Sequence, residues 1–329
     1  MCPNSFRAPP GANCATTGRG ALLWLTIAWL GAIRAAAGNV PPALDPQLVR
    51  LGYETVPLQR SAENHLHVRA RVNGRRCVTL VDTGWSFATL ASQTANRRFK
   101  VPTRPATEGS GAVLERLELG KSPFLDQPVR VEPLVFDGQP ASFDLVLGLD
   151  FLRRHFALLD CGRARLYLRR AAPASAERLA LETLLRERGY APAPMTSADP
   201  PALTCRARLN GRPVELLVDS AAVWSALDPR ELQRLDLRSE ATLARVTGAG
   251  STGTRPVLVA TPRTFELASA TISSARFAVL ELADWGMATT NAPLPHVGGI
   301  LGGPELRALE ALVDCDALKL WIRAPRSRR

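Results

Sequence analysis

Short apolar runs, some of them alternating with polar residues, recur along most of the chain and are separated by turn residues. Leu66–Val72 alternates apolar and polar positions, the pair Asn73-Gly74 is typical of a β-hairpin, and Val78–Val81 is short and continuously apolar, as a buried strand is. The same order of pattern, Asn-Gly turn and apolar run returns at 204–218. The chain is therefore predicted to be all-β with few short helices.

Three segments have helical patterns instead. Asp150–Phe156 and Pro304–Leu309 each follow an apolar strand, and Ser175–Gly189 is amphipathic, with Ser175 as the candidate N-cap residue. The Pro-rich stretch 191–201 that follows the third helix is predicted to be a linker.

The strand patterns form an internal repeat. Asp82 ends the apolar run of the first copy, and Asp219 ends that of the second copy, 137 positions later. Across 69–84, 9 of the 16 positions are identical at this offset without a gap. A second landmark, an apolar pair followed by glycine, ends at Gly148 and at Gly302. Because the period far exceeds the roughly 20–50 residues of solenoid repeats, we expect a duplicated domain.

This repeat suggests where the chain divides. We expect an export signal (1–37), an N-terminal segment (38–54), a first repeat (55–170), a helix and Pro-rich linker (171–201), a second repeat (202–323) and a basic tail (324–329).

The chain is basic, with a formal net charge of +11 over 329 residues. Of its 41 basic residues 38 are arginine, and these are scattered along the chain. Diffuse positive charge is usually a solvated surface, so no nucleic-acid partner is expected.

The N-terminus has the pattern of an export signal. Arg7 and Arg19 precede an apolar run over 21–33, and small residues at 35–37 follow it. At 13 residues the run is shorter than the roughly 20 that span a bilayer. We expect a cleaved signal and a periplasmic or secreted protein. Membrane association is expected only if the signal is retained as an anchor.

Four cysteines follow the predicted signal: Cys77, Cys161, Cys205 and Cys315. An even number in an exported protein permits disulfides, and we expect Cys77–Cys161 in the first repeat and Cys205–Cys315 in the second. The alternative is that all four are small buried residues. Their wide spacing excludes a local Cys-x-x-Cys metal site.

The paired aspartates suggest a particular chemistry. A single carboxylate is costly to bury, but two that meet across a twofold axis about 3 Å apart share one proton. The ionised partner then takes a proton from water while the other polarises a carbonyl. Thr83 and Ser220 each follow an aspartate and would hydrogen-bond across the junction. Gly84 would let the backbone turn towards the carboxylate.

Both repeats resemble the retropepsin-like aspartic proteases, the retroviral and bacterial clan related to one lobe of pepsin. In the first repeat the resemblance rests on Asp-Thr-Gly at 82–84, a Gly-containing turn at 109–111 and Val-Leu-Gly at 146–148. In the second repeat it rests on Asp-Ser-Ala at 219–221, Gly-Ala-Gly at 248–250 and Ile-Leu-Gly at 300–302.

The resemblance implies two retropepsin-like lobes in one chain, arranged as in pepsin in a bilobal pseudo-dimer that is a monomer. It implies an endopeptidase acting on proteins or peptides, with Asp82 and Asp219 as the catalytic pair and no metal or cofactor. The supporting residues would be Thr83, Gly84, Ser220 and Ala221. The flap residues over the substrate would be Gly109, Ser110, Gly111, Gly248, Ala249 and Gly250.

Two residues depart from the family pattern. Ala221 replaces the motif glycine, and Trp85 stands where the family has a small residue. If the glycine position needs an unusual backbone angle, Ala221 would be strained and its hydrogen bond to Asp219 weakened. Two alternatives then stay open. One is an enzyme that pairs Asp82 of two chains, with the second repeat purely structural. The other is an extracytoplasmic peptide-binding protein that has lost catalysis.

Two histidines are candidate metal ligands. His65 and His67 are two positions apart on a predicted strand and therefore share a face. No third ligand is evident in the sequence, so we interpret this face as solvated.

Overall fold

Paired β-hairpins make up most of this fold. The structure is a computed structural model, and it describes residues 44–101, 110–136, 139–198, 201–246, 255–272, 275–282 and 297–323. The strands of the first half are β1 (Glu54–Pro57), β2 (Gln59–Arg60), β3 (Leu66–Val72), β4 (Arg75–Val81), β5 (Thr89–Ala91), β6 (Ser110–Leu119), β7 (Ser122–Glu132), β8 (Val135–Phe136), β9 (Gln139–Pro140), β10 (Leu145–Leu147), β11 (Leu158–Asp160) and β12 (Arg165–Leu168).

The second half continues with β13 (Ala191–Ala198), β14 (Ala202–Leu209), β15 (Arg212–Val218), β16 (Ala226–Leu227), β17 (Ser239–Val246), β18 (Arg255–Ala260), β19 (Phe265–Leu267), β20 (Ala270–Ile272), β21 (Phe277–Val279), β22 (Gly299–Leu301), β23 (Leu312–Asp314) and β24 (Lys319–Ile322). The helices are α1 (Asp45–Arg50), α2 (Ser92–Thr94), a π-helix (Ala95–Phe99), α3 (Leu149–Arg154), α4 (Ser175–Glu187), α5 (Glu231–Arg234) and α6 (Gly303–Ala308). The prediction of a mainly β protein with few short helices is confirmed.

Six strands of the first half close into a small barrel. The sheet runs β2-β3-β4-β10-β5-β7-β6, and β3 also pairs with β6, which joins its two sides. On β3 every second side chain is buried, so alternation places one face in the barrel core. By contrast β10 is buried at all three positions, as expected for a central strand.

The second half belongs to a 15-stranded sheet that contains the path β14-β15-β22-β16-β21-β18-β17. The other part of this sheet runs β1-β12-β11-β23-β24-β13 and so combines strands from the first and second halves of the sequence. Its centre is the antiparallel pair of β11 and β23, in which Leu159 lies opposite Val313. These six strands, called the shared segment below, join the two halves of the sequence.

The same local arrangement precedes both aspartates. The first strand after each Asn-Gly turn pairs in parallel with a later buried strand, with Val81 opposite Leu147 and Val218 opposite Leu301. In a parallel pair the carboxyl ends of both strands lie at the same edge. Asp82 therefore emerges beside the landmark that ends at Gly148.

The stretch 191–201 is largely not a linker, and that prediction was wrong. Residues 191–198 form β13, which pairs with β24 through Ala191–Pro194 and with β14 through Met195–Ala198. The Met195 N–H donates to the Leu318 carbonyl, on the side of β24. Backbone N–H directions alternate along a strand, so the nitrogens of Pro192 and Pro194 face the opposite side, where β14 pairs only with residues 195–198. Proline is tolerated there because no partner strand needs its missing N–H.

The segment 38–54 is part of the fold from Leu44 onwards. Leu48 of α1 and Tyr53 are buried in one cluster with Trp321 of β24. Helix α4 covers the same cluster through Leu181 and Leu185. Ser175 begins α4 rather than capping it, and the Glu177 carboxylate instead accepts the Ala174 N–H at 2.8 Å.

The predicted export signal (1–37) and basic tail (324–329) lie outside the described residues, so both stay predictions. Among the residues that are described, no helix has the length and apolar character needed to cross a membrane.

The predicted disulfides are not formed, because all four described cysteines are free and buried. The Cys77 Sγ lies 3.4 Å from the Thr79 hydroxyl, and the Cys161 Sγ lies 4.0 Å from the Leu159 carbonyl. Burial raises the pKa of both thiols to about 12, and it also raises the pKa of Cys205 and Cys315. A protonated buried thiol is inert, so packing determines the state of these residues.

The burial of the four cysteines predicts how they react with a thiol reagent before and after unfolding. We expect the folded protein to react only slowly with an alkylating reagent, and all four thiols to react once it is unfolded without reductant. Mass spectrometry of the labelled peptides measures both stages. Peptides joined by a disulfide in the unreduced protein would contradict the structure.

Candidate active site

The structure brings the two repeat aspartates, Asp82 and Asp219, together. The Asp82 N–H donates to Leu147 and the Asp219 N–H donates to Leu301, each at 3.1 Å. These two hydrogen bonds extend each parallel pair of strands by one residue, and they fix the position of each aspartate at the end of its strand. Asp82 is 8% exposed, so its carboxyl group is largely removed from water.

Thr83 and Ser220 connect the two aspartate loops by reciprocal hydrogen bonds. The Thr83 hydroxyl donates to the Val218 carbonyl at 2.8 Å and accepts the Ser220 N–H at 2.9 Å. The Ser220 hydroxyl donates to the Val81 carbonyl and accepts the Thr83 N–H, both at 3.1 Å. Both side chains are buried. A neutral hydrogen bond contributes about 0.5–1.5 kcal/mol, so the set of four holds the loops together strongly.

The two carboxyl groups lie close together, because that of Asp219 lies against Gly84, the residue whose N–H binds Asp82, and each shifts the pKa of the other. The Gly84 N–H donates to Asp82 Oδ1 at 2.8 Å. Asp219 Oδ1 accepts two such bonds, from the N–H groups of Ala221 and Ala222, each at 2.8 Å. Backbone N–H groups of Gly84 and Trp85 lower the pKa of Asp82, and those of Ala221 and Ala222 lower the pKa of Asp219, so both carboxyl groups have backbone donors nearby.

The small space beside Gly84 leaves no room for a side chain at this position. A Cβ atom at this position would lie 2.5 Å from Oδ2 and 2.8 Å from Oδ1 of Asp219. Its φ is not among the positive values, so conformational freedom is not the reason for the glycine. The glycine lets the second carboxyl group approach the first.

The electrostatic surroundings of Asp82 and Asp219 favour a state in which the two carboxyl groups together keep a proton. Burial raises the pKa of Asp82 well above its ordinary value, and the charge of Asp219 raises it further. Burial also raises the pKa of Asp219, although the Ala221 and Ala222 N–H groups oppose this. Two carboxylates in contact cannot both ionise at moderate pH, so the pair holds one proton over a wide range.

The condition under which Ala221 would be strained is not met. Ala221 is not among the described residues with positive φ, and its N–H still donates to Asp219. Its methyl group packs in a small apolar cluster with Trp85 and Phe143. Trp85 is also accommodated, since its indole N–H donates to the Thr89 hydroxyl at 2.9 Å.

The predicted flap residues are described only in part. Gly109, Gly248, Ala249 and Gly250 lie outside the described residues. Ser110 and Gly111 begin β6, opposite Val131 and Arg130 of β7. A Cβ at Gly111 would have no neighbour within 4 Å.

His65 belongs to this site, which the sequence analysis missed. Burial lowers the pKa of its ring, and the nearby Asp219 carboxyl group and Ala221 backbone oppose this shift. The register of β3 and β4 could have indicated this, because His67 lies opposite Leu80 and the same register extended by two residues places position 65 opposite Asp82. In the described part of the chain, no group of three His, Cys, Asp or Glu side chains is arranged to hold a metal.

Comparison with known proteins gives one family match. Residues 205–304 match the family model described as aspartyl protease. The match includes Asp219 and the landmark that ends at Gly302, and it leaves Asp82 outside. No curated protein matches the chain. The second repeat thus has the sequence character of an aspartyl protease domain.

The close approach at Gly84 predicts a strong steric effect. We expect Gly84→Ala to lower the free energy of unfolding by about 1–3 kcal/mol, because the new methyl group would displace the Asp219 carboxyl group. Denaturant unfolding measures it. Gly111→Ala is the matched control, with open space around the new methyl group, and should stay within about 0.5 kcal/mol of the unsubstituted protein. Equal effects at both positions would contradict the geometry.

Proposed function

We propose that this chain is an aspartic endopeptidase in which Asp82 and Asp219 of one molecule form the catalytic pair. The observation that carries the proposal is the close approach of the two carboxyl groups at Gly84, between loops that Thr83 and Ser220 hold together by hydrogen bonds. A non-catalytic protein would have no need to hold a buried and a partly buried carboxyl group together against their repulsion. The family match over 205–304 supports the same reaction.

The proposed reaction uses one proton on the pair and one water molecule. The ionised carboxylate removes a proton from water, and the oxygen attacks the peptide carbonyl carbon. The protonated carboxyl group gives its proton to the carbonyl oxygen. In the second step the protonated carboxyl group gives its proton to the amide nitrogen, and the other carboxylate takes a proton from a hydroxyl group of the tetrahedral intermediate. The C–N bond breaks, a new carboxyl group and an amine are released, and the pair again holds one proton. This reaction needs no metal or cofactor.

The arrangement that fits this function is a pepsin-like bilobal pseudo-dimer within one chain. Each half has an Asn-Gly hairpin, a parallel pair of strands and a short helix after the glycine landmark. The shared segment β1-β12-β11-β23-β24-β13 would join the two retropepsin-like lobes. We therefore propose a monomer that acts on protein or peptide substrates after export to the periplasm or the exterior, with the flaps 109–111 and 248–250 covering the substrate.

Replacement of either aspartate is expected to inactivate the enzyme. We predict that Asp82→Asn and Asp219→Asn each lower kcat on a peptide library by at least about 10³-fold, since the pair loses its base or its proton. Asp126→Asn is the control, because Asp126 is exposed and has a positive φ of 51°, which asparagine also adopts. Peptidase kinetics and sedimentation are measured together.

The outcomes distinguish the alternatives. An active Asp219→Asn protein that sediments as a dimer would favour catalysis by Asp82 of two chains. A wild-type protein that binds peptides without cleaving them would favour a binding function.

The raised pKa values of the pair predict a bell-shaped pH profile. Below the lower pKa both carboxyl groups are protonated and no base is present, so activity is lost as pH falls. Above the upper pKa, which burial raises at Asp82, both are charged and no acid is present. We expect an optimum between about pH 3.5 and 6.5. A rate that still rises through pH 8 would contradict the proposed chemistry.

A further inference from the structure

We propose that Trp85 is a specificity-determining residue, whose indole ring fills the space beside Asp82 in which a substrate side chain would otherwise lie. The site then accepts a small side chain on the Asp82 side of the scissile bond and a large apolar side chain on the Asp219 side. The inference rests on the proposed function, because it assigns the class of substrate that the same site takes.

Alternation along the strand shows which face of the first sheet bears the catalytic carboxyl group. Side chains two positions apart share a face, so Leu80 lies on the face of Asp82 and Val81 lies on the opposite face. Val81 is buried in the main hydrophobic core, whereas Leu80 belongs to a separate cluster with Val146, its partner in the parallel pair. This cluster is called the first apolar face below: Leu80, Ala91, Leu134 and Val146.

The indole ring of Trp85 covers the first apolar face. It packs against the cluster of Leu80 and Val146, and its N–H donates to the Thr89 hydroxyl at 2.9 Å. Thr89 lies opposite Val146 in the antiparallel pair of β5 and β10, so this hydrogen bond holds the ring over the same face. The Thr89 hydroxyl donates in turn to the Phe87 carbonyl at 3.0 Å. Packing and a hydrogen bond together fix the position of the ring.

Two further side chains narrow the space over this face. Phe143 and Ala221 pack against the same cluster as Trp85 does. Ala221 belongs to the Asp219 loop, so the cover extends to the junction between the two repeats. Beneath it, Val146 is only 2% exposed. A large substrate side chain therefore finds the first apolar face already covered by side chains of the protein.

The second repeat has the same face. Leu217 lies opposite Ile300 in the parallel pair there, and both belong to a cluster of their own. Leu217 is two positions before Asp219 and therefore shares its face. This cluster is called the second apolar face below: Ala202, Leu217, Ala226, Val257, Ala278, Leu282 and Ile300.

The residues that cover the first apolar face have smaller counterparts in the second repeat. At the repeat offsets of 137 and 154 these are Ala222 for Trp85, Ala226 for Thr89, Val297 for Phe143 and Gly84 for Ala221. All described members of the second cluster are aliphatic, so no aromatic ring among them takes the place of the indole. Ile300 is accordingly 9% exposed, whereas its counterpart Val146 is 2% exposed. The second apolar face is the more open of the two.

An extended peptide would use both faces at once. Successive side chains of an extended chain point in opposite directions, so the two residues that flank the scissile bond are directed apart. One of them would meet the covered first face and the other the open second face. The protein should consequently discriminate by size on one side of the scissile bond and favour apolar side chains on the other.

The first test is the cleavage of a peptide library in which the two residues that flank the scissile bond are varied. We expect wild-type protein to prefer Gly, Ala or Ser at one position and Leu or Phe at the other. Trp85→Ala should raise kcat/KM for Phe relative to Ala at the first position by at least about tenfold, since even one methylene group in a pocket discriminates by roughly 10–200-fold. Ala222→Trp should lower this ratio at the second position.

Phe124→Ala is the matched control, because it also removes a buried aromatic ring of the first repeat, but from the main core. It should leave both preferences in place. Trp85→Leu keeps an apolar side chain on the cluster and should give a smaller shift in the same direction, so the test does not depend on the folding of Trp85→Ala. An unchanged profile in the Trp85 variants, or an equal change in Phe124→Ala, overturns the proposal.

The second test measures binding and needs no catalysis. Displayed random peptides are selected for binding to Asp219→Asn protein, with and without Trp85→Ala. We expect Trp85→Ala to enrich large apolar residues at one position where the parent protein selects small ones. If the selection changes in this way but wild-type protein cleaves no peptide, the catalytic proposal alone fails. Cleavage with a profile that Trp85→Ala does not alter would refute the role of Trp85 alone, and no binding to either protein would refute both.

Discussion

The structure depends on holding two mutually repelling carboxyl groups close together, one of them buried and the other partly buried. Burial and proximity both raise the free energy of the charged forms, so the pair persists only where the surrounding backbone fixes it. The fixing groups are Thr83 and Ser220, each of which donates to a carbonyl and accepts an N–H of the opposite loop. Because each partner comes from a different repeat, neither half could supply this arrangement alone.

The two sides of the pair have diverged around this common arrangement. Gly84 is needed because the Asp219 carboxyl group occupies the space of a side chain, whereas Ala221 adds a methyl group and still donates its N–H. His65 has no counterpart in the second repeat. These differences make the surroundings of the two carboxyl groups unequal.

Much of this arrangement could be predicted from the sequence, because its signals are local. The Asn-Gly turns fix the register of both hairpins, and the repeat offset pairs Asp82 with Asp219. The errors arose where tertiary context decides. Prolines at 192 and 194 indicated a linker, but their missing N–H groups fall on the side of β13 without a partner. The cysteine count suggested disulfides, but packing buries each thiol separately. His65 was missed because its significance lies in its proximity to the other repeat.

The central claim is that one chain supplies both carboxyl groups of a single site. A pepstatin-type inhibitor carries a hydroxyl group that would bind between two such carboxyl groups, so the number of inhibitors per chain is the most direct measurement. Native mass spectrometry of the protein with this inhibitor should show one inhibitor on one chain. One inhibitor shared by two chains, or none bound at acidic pH, would contradict the account.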